Sequence, residues 1–568
     1  MRFVWGSAPL NAFDLFEFSL LILCVAVAFF RPSSFKRFFA GVENRLASLS
    51  KRRWRCALIV FLLPIALRLL LLPVYPPPLP FIHDEYAYLM QADTFAHGRL
   101  ANPPLPFPGQ FETIYILATP TYSSEYEPAQ GFFLAIGEKL FNQPWFGVVL
   151  TMGLFCAVAY WALMAWFSPP WAFTGALLLI VEIGVLSYWM NSYWGGCIPA
   201  IGGTLTLGAL ARLRTGFRRM DAVLVTVGIF VLLCSRPLEG ILLAIMVIAF
   251  LLFWLVTYKT AWTVFATRVV LPMLLIAVPA GLFLGYYNER VTGKFTEVPY
   301  MLYRARYSVP QGFYWQKPPV AKNGMPADIK GEYLVQQGQR ARTDLLRGTI
   351  GKLRRFGQFY IGIILSIVLF AFPFIWRNRN MDIVFFSLLV ILVFENLTYF
   401  AYFPHYTAAV AISVFVVLLQ CLRVMRGWGS SGLFLSRAIP TACCLSLSVA
   451  MAGKLIEPVL PAPVKPVSNL WKSQYEHWIS REKFVSWLEK QPGKQLVLIQ
   501  YNLPKHDNDN AWTFNLANLD DAKIVWARES PDPEVNRRLI EHFKNRKVWL
   551  AQPDATPKRI IPYPDSPK

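Results

Sequence analysis

The chain has 568 residues, 55% of them hydrophobic, and a formal net charge of +21. That apolar share excludes an ordinary soluble globular protein. The positive charge does not point to nucleic acid, because Lys and Arg gather in short loops between apolar runs, the distribution that orients membrane proteins.

In chain order, apolar runs of the length that crosses a ~30 Å hydrocarbon core predict about twelve spans. They cover 13–30, 57–73, 145–167, 171–190, 197–213, 220–235, 238–256, 269–287, 358–376, 382–400, 405–423 and 437–455. The first run reads as a spanning helix rather than a signal peptide. Asp14 and Glu17 stand near its start, its basic residues follow it, and no small-residue cleavage site comes after. The segment that follows holds Arg31, Lys36, Arg37, Arg45, Lys51, Arg52, Arg53 and Arg55, which predicts a cytoplasmic position. Alternation then puts Arg212, Arg214, Arg218 and Arg219, Lys259 and Arg268, Arg377 and Arg379, and Arg423, Arg426 and Arg437 on the same side. The short loops opposite, 191–196 and 402–404, carry almost no Lys or Arg.

This topology leaves both termini outside the cytoplasm, together with a loop at 74–144, a polar and basic loop at 288–357, and a tail. Long loops cross largely regardless of charge, so the basic residues of the second loop do not oppose it. The chain divides into an extra span with a basic segment (1–56), a membrane domain (57–455), and a linker with a small soluble unit (456–568). The Pro-rich stretch 457–466 (EPVLPAPVKP) enters the tail. There, 495–500 (QLVLIQ), 523–527 (KIVWA) and 547–551 (KVWLA) read as buried strands, and 533–545 as a helix with Asp532 as N-cap and Pro533 at its first position. The tail is therefore a small α/β unit, and no catalytic motif stands out in it. All eight cysteines lie in or beside apolar runs, without disulfide or metal-type spacing.

The strongest chemical signal is His83-Asp84-Glu85, just after the run 57–73. Adjacent carboxylates at a membrane surface are costly against lipid and easier to explain as chemistry than as scaffold. A carboxylate there can deprotonate an acceptor hydroxyl, or a pair can grip a metal ion. The stretch 84–100 spaces Tyr86, Leu89, Met90, Asp93 and His97 at three and four residues, which predicts an amphipathic helix along the interface. Asp84 capping that helix is the structural alternative, compatible with the chemical one.

An apolar helix, an extracytoplasmic loop opening with Asp84-Glu85, then an aromatic amphipathic helix resembles the membrane glycosyltransferases of the GT-C type. That superfamily includes protein O-mannosyltransferases, aminoarabinose transferases and related bacterial sugar transferases. The stretches 126–131 (YEPAQG), 191–196 (NSYWGG), 235–240 (SRPLEG) and Pro404-His405-Tyr406 fit its bacterial members, and the resemblance covers roughly 57–455. The extra span 13–30 departs from the usual start. The resemblance implies a multi-pass enzyme of the bacterial inner membrane. It would take a sugar from a polyprenyl-phosphate donor, on the extracytoplasmic face, and pass it with inversion to a protein, lipid or glycan acceptor. By position Asp84 is the general base and Glu85 supports it. Metal-dependent members carry Asp-x-Asp in this loop, which is absent here, so no metal or other cofactor is expected.

A departing lipid phosphate needs a cation. Arg236 fits, with Glu239 close enough to orient it, although an Arg reaching to headgroups is an open alternative. Lys294, Arg304 and Arg306, interleaved with Tyr300, Tyr303 and Tyr307, could hold phosphate or acceptor, or form a solvated face. His83, Tyr86, Glu127, Trp194, Tyr303, His405 and Tyr406 complete the candidate cavity. An aromatic belt explains His405 and Tyr406 equally well, a packing turn explains Trp194, and a helix-start acid explains Glu127. Glu182 and Glu395 are intramembrane acids without an assigned partner. A flippase for lipid-linked glycans is the second hypothesis, but no internal repeat is visible. A surface-polysaccharide polymerase or ligase is the third, and it gives no reason for Asp-Glu straight after an early span.

Overall fold

The computed structural model describes residues 12–564, apart from 308–311, 318–319, 343, 377, 399–401, 457–474 and 503–510. The Pro-rich stretch 457–466 and Arg377 therefore lie outside the described residues.

Among those residues six helices are long and apolar enough to cross a membrane: Ala12–Phe30, Trp145–Leu163, Pro237–Thr257, Trp262–Thr292, Pro404–Arg426 and Gly429–Ile456. A seventh arises if Leu345–Tyr360 and Gly362–Ile375 form one span, although they bend by 109°. Of the remaining predicted runs, 57–73 becomes the 18-residue helix Arg53–Leu70, which carries three arginines, and the others are shorter or broken. Cys197–Leu213 has 17 residues, Asp382–Leu397 has 16 and Arg219–Leu233 has 15. The run 171–190 yields the helix Pro169–Leu179 and one π-turn, Ile180–Gly184, before the chain leaves helical geometry. The chain is thus a polytopic helical membrane protein. Its twelve apolar runs do not all become full-length helices, because hydropathy does not register where the backbone turns.

Proline marks the starts that matter for the cavity. Pro128 opens Pro128–Phe141 and Pro237 opens Pro237–Thr257, each at a first-turn position whose N–H has no intrahelical partner anyway. Small residues let the helices touch by backbone. A Cβ on Gly203 would overlap the Ala409 carbonyl, and one on Gly147 would overlap that of Phe133.

The first-loop helix is His83–Ala96. It does not keep the open polar face of the amphipathic helix that its spacing predicts. His83, Glu85, Tyr86, Ala87, Met90, Gln91, Ala92, Asp93 and Thr94 are all buried, which wraps the helix in protein on nearly every side. It packs against Pro128–Phe141 on one flank and receives the tail on another.

The tail forms a four-stranded sheet. Strand Lys494–Ile499 pairs in parallel with both Ile524–Arg528 and Arg546–Gln552, and the latter pairs antiparallel with Arg559–Pro562. Period-2 alternation sends Leu496, Leu498, Val525 and Val548 to one core and Val497, Ile499, Trp526 and Trp549 to another. The first core is covered by the helix Pro533–His542, whose N-cap Asp532 accepts from the Glu534 N–H at 2.9 Å. The fourth strand and the helix Tyr475–Glu489 were not anticipated. Neither has a strong local pattern, since the strand holds two Pro-flanked apolar residues and the helix is apolar on no single face.

The tail grips the first loop. Phe514 stacks on Tyr86 at 4.4 Å and 8° and on His83 at 5.7 Å, the Ala517 N–H donates to Asp93 Oδ2 at 2.7 Å, and Tyr122 Oη donates to the Asn515 carbonyl. Arg528 donates to the carbonyls of Gly109 and Glu112 and pairs with the fully buried Asp328 of the second loop, which also accepts from Thr113 Oγ1. Removing the cation would leave a buried carboxylate uncompensated, at a cost of about 3 kcal/mol or more. Arg528→Ala should therefore lower the melting temperature in detergent and expose the tail to limited proteolysis. An unchanged melting curve and digest would show that the tail is held otherwise.

Candidate active site

A cavity of about 170 Å³ lies where the first-loop helix, the 126–131 turn, the 194–199 turn, the start of Pro237–Thr257, the helix Pro299–Tyr307 and the end of Asp382–Leu397 converge. Asp84, Glu125, Glu127, Glu239 and Glu395 bring carboxylates to its wall, and Arg236 and Arg304 bring guanidinium groups. Tyr88, Tyr115, Tyr126, Trp194, Tyr300, His405 and Tyr406 supply the rings.

Asp84 stands in the first helical turn, half-buried, and its Oδ1 accepts from Tyr126 Oη at 2.5 Å. Burial raises its pKa above the ordinary aspartate value, and the Tyr126 hydrogen bond partly offsets that rise. Tyr126 is itself held. Its ring stacks on Tyr88 at 4.4 Å, and its carbonyl accepts from Gln91 Nε2 at 2.7 Å and Tyr287 Oη at 3.0 Å.

The rest of the 126–131 motif has a physical assignment too. Glu127 faces the cavity, and burial pushes its carboxyl up to about 8, with Arg236 pulling the other way. Pro128 starts the helix, Gln130 Nε2 donates to the Tyr193 carbonyl at 2.8 Å, and a Cβ at Gly131 would run into the Gln91 side chain. In the 191–196 motif, Asn191 Oδ1 accepts from the buried Arg68 Nε at 2.6 Å, and Trp194 packs edge-on to His405 at 4.4 Å. Gly195 and Gly196 take φ of 89° and 147°, a backbone region that residues with a Cβ rarely adopt.

Arg236 precedes the 21-residue apolar helix Pro237–Thr257. Its Nε donates to Glu239 Oε1 at 2.7 Å and its guanidinium lies 4.4 Å from the Tyr406 ring centre. Glu395 is buried beside them, and its carbonyl accepts from Lys352 Nζ, which also donates to Thr398. His405 Nδ1 and Tyr188 Oη share a hydrogen bond at 2.9 Å, and the Tyr188 oxygen also accepts from the His405 N–H. Arg304 lies 3.9 Å over the Tyr300 ring. Among the described residues no group of three or more His, Cys, Asp or Glu is arranged to hold a metal ion.

Asp84, Glu127, Trp194, Arg236, Glu239, Arg304, His405 and Tyr406 are thus brought to one cavity, whereas His83, Glu85, Tyr86, Lys294, Tyr303 and Arg306 are not, the last donating to Glu112 and the Thr119 carbonyl. Glu85 is turned away. Its Oε2 accepts from the Phe81 N–H at 2.7 Å and the Ile82 N–H at 3.2 Å, and its Oε1 from the Tyr193 N–H at 2.7 Å. Burial raises it to about 7 while those donors favour the charged form. His83 and Tyr86 pack on the tail's Phe514. Tyr303 packs against Tyr115 and Tyr307. Lys294 is exposed and pairs with Glu297 at 3.3 Å. Glu125 and Tyr115 were not singled out from sequence. No periodic signal marks Glu125, because residues 125 and 126 lie in a bend after the strand Ser123–Ser124, and Glu125, Tyr126 and Glu127 all reach the same cavity.

No family model matches this chain, and no curated protein sequence matches it. Several solved structures are similar to it. ArnT from Cupriavidus metallidurans in the apo state shares 15% identity, with 86% of this chain and 92% of that one covered, at a TM-score of 0.49. The same protein bound to undecaprenyl phosphate shares 12%, with 92% and 93% covered, at 0.48. The apo Archaeoglobus fulgidus oligosaccharyltransferase shares 11%, with 88% and 69% covered, at 0.46.

The two adjacent acids predict different variants. Glu85→Gln replaces an acceptor of three N–H groups with an amide that has one acceptor oxygen, at a cost of about 1–3 kcal/mol, and should lower the melting temperature. Asp84→Asn should leave it nearly unchanged. Equal losses in the two variants would contradict the division of roles.

Proposed function

We propose that this chain is a GT-C-type membrane glycosyltransferase that moves a sugar from a polyprenyl-phosphate donor to an acceptor hydroxyl on the extracytoplasmic face, with inversion. The observation that supports this most is that Asp84 and Arg236 share one small cavity at the end of an apolar helix. A lipid phosphate must stay near the membrane end of its carrier. Arg236 offers it a guanidinium already oriented by Glu239, beside a helix N-terminus whose dipole favours anions.

In the proposed step the acceptor oxygen attacks the anomeric carbon and its proton passes to Asp84. The bond from that carbon to the phosphate oxygen breaks, and the electron pair leaves on the phosphate, where Arg236 stabilises it. A raised carboxylate pKa makes Asp84 a stronger base than a free aspartate. The Tyr126 hydrogen bond fixes its direction and favours its ionised form. Glu85 acts by holding the helix start rather than by touching substrate. The loop carries Asp-Glu in place of Asp-x-Asp, so no step is routed through a metal. The extracytoplasmic placement rests on the basic loops that the topology gathers on the other side.

Asp84→Asn in nanodiscs should reduce release of undecaprenyl phosphate from a panel of undecaprenyl-phosphate hexoses and pentoses by about 10²–10⁴-fold. Arg236→Ala should weaken binding of bare undecaprenyl phosphate. Retention of full transfer by the first variant overturns the assignment of the base. Loss of activity on acidification should follow protonation of Asp84. Tyr126→Phe removes the bond that favours the ionised form, so its acid limb should move to higher pH. A limb that stays, or moves down, separates Tyr126 from the base.

A further inference from the structure

We propose that Glu125, with Arg304 beside it, forms a subsite that recognises hydroxyl groups of the transferred sugar; this deepens and rests on the lipid-donor reading above. Glu125 is 1% exposed and lines the cavity, yet both carboxyl oxygens lack a hydrogen-bond partner among the described residues. Its position is firmly set. The short ladder of Ser123–Ser124 on Ile116–Leu117 and the Glu125 N–H to the Tyr115 carbonyl at 3.0 Å fix the backbone. Arg304 is in the same condition, since its Nε and Nη1 are buried and unpartnered on the same wall. The two attract each other without touching.

Buried polar atoms are normally satisfied, and each orphan is destabilising. Here an acceptor and a donor are left open side by side, so the ligand that serves both must donate and accept. Phosphate only accepts, and an ammonium only donates. A sugar hydroxyl does both, and the rings of Tyr88, Tyr115 and Trp194 suit the apolar faces of a pyranose. The charged groups facing Glu125 are Asp84, Glu127 and Arg304. Burial raises its pKa, and the Arg304 charge beside it opposes that rise. The influence of Asp84 on it sets the gripped hydroxyls close to the proposed base.

The test compares binding of bare undecaprenyl phosphate with the undecaprenyl-phosphate hexoses and pentoses, using the full chain in nanodiscs. At least one sugar lipid should bind wild type more tightly than the bare lipid. Glu125→Ala should erase that advantage, about tenfold or more, with bare-lipid affinity unchanged, and Glu125→Gln should keep most of it. Glu125→Met should raise the melting temperature of the unliganded protein, because it removes an unsatisfied buried acid. This readout stands even where the alanine variant folds poorly. The subsite is overturned if the sugar adds no affinity in wild type, if Glu125→Ala keeps the advantage, if Glu125→Gln loses as much as Glu125→Ala (a cationic ligand), or if Glu125→Met lowers the melting temperature (a structural acid). Failure of wild type to bind any of these lipids overturns the donor reading itself and the subsite with it.

Discussion

One buried carboxylate organises the cavity. Glu85 accepts three backbone N–H groups, two from the turn that enters its own helix and one from Tyr193 in the 191–196 turn. The three donors offset the cost of burying this acid, and without it they would be orphaned. The exchange ties the start of the first-loop helix to the loop that carries Trp194. It also decides which way Asp84 turns. Adjacent positions on a helix project about 100° apart, so anchoring Glu85 inward leaves Asp84 facing the cavity.

Around that anchor the short motifs behave as one connected unit. Gln130 reaches the Tyr193 carbonyl, Asn191 is fixed by Arg68, and Tyr126 is pinned from Gln91 and Tyr287 before it contacts Asp84. Positioning of this kind matters because proton transfer needs heavy atoms within hydrogen-bond reach, and flexible side chains would not hold it. The tail adds a second constraint from outside, with Phe514 stacked on the residues flanking Asp84-Glu85. The electrostatics are uneven by design of the same fold. Arg236 is paired with Glu239, whereas Glu125 and Arg304 are left open. In the proposed reading the first meets the lipid phosphate and the second the sugar hydroxyls.

Much of this was legible in the primary sequence because hydropathy, charge bias and motif composition are local. The apolar runs, the loops that line the cavity, the three parallel strands of the tail and the Asp532–Pro533 helix start all follow from residue type and spacing. Span length was less legible. The run 171–190 is long enough to span, yet its helix ends in a π-turn at Ile180–Gly184 that holds Glu182, and one acid within an apolar run does not by itself predict a break.

For the site, the sequence by itself determined that carboxylates and arginines cluster where apolar helices end, and that Asp84, Glu127 and Arg236 belong to that cluster. Only the tertiary structure decided between neighbours. Asp84 and Glu85 are equivalent as letters, and so are Arg304 and Lys294 as cations. What separates them is which side chain finds partners: Glu85 meets three peptide donors and Lys294 meets Glu297 in the open, while Glu125 meets none among the described residues. Hydrogen bonding between residues more than a hundred positions apart, as between Glu85 and Tyr193, is a property of the folded chain and leaves no periodic trace in the sequence.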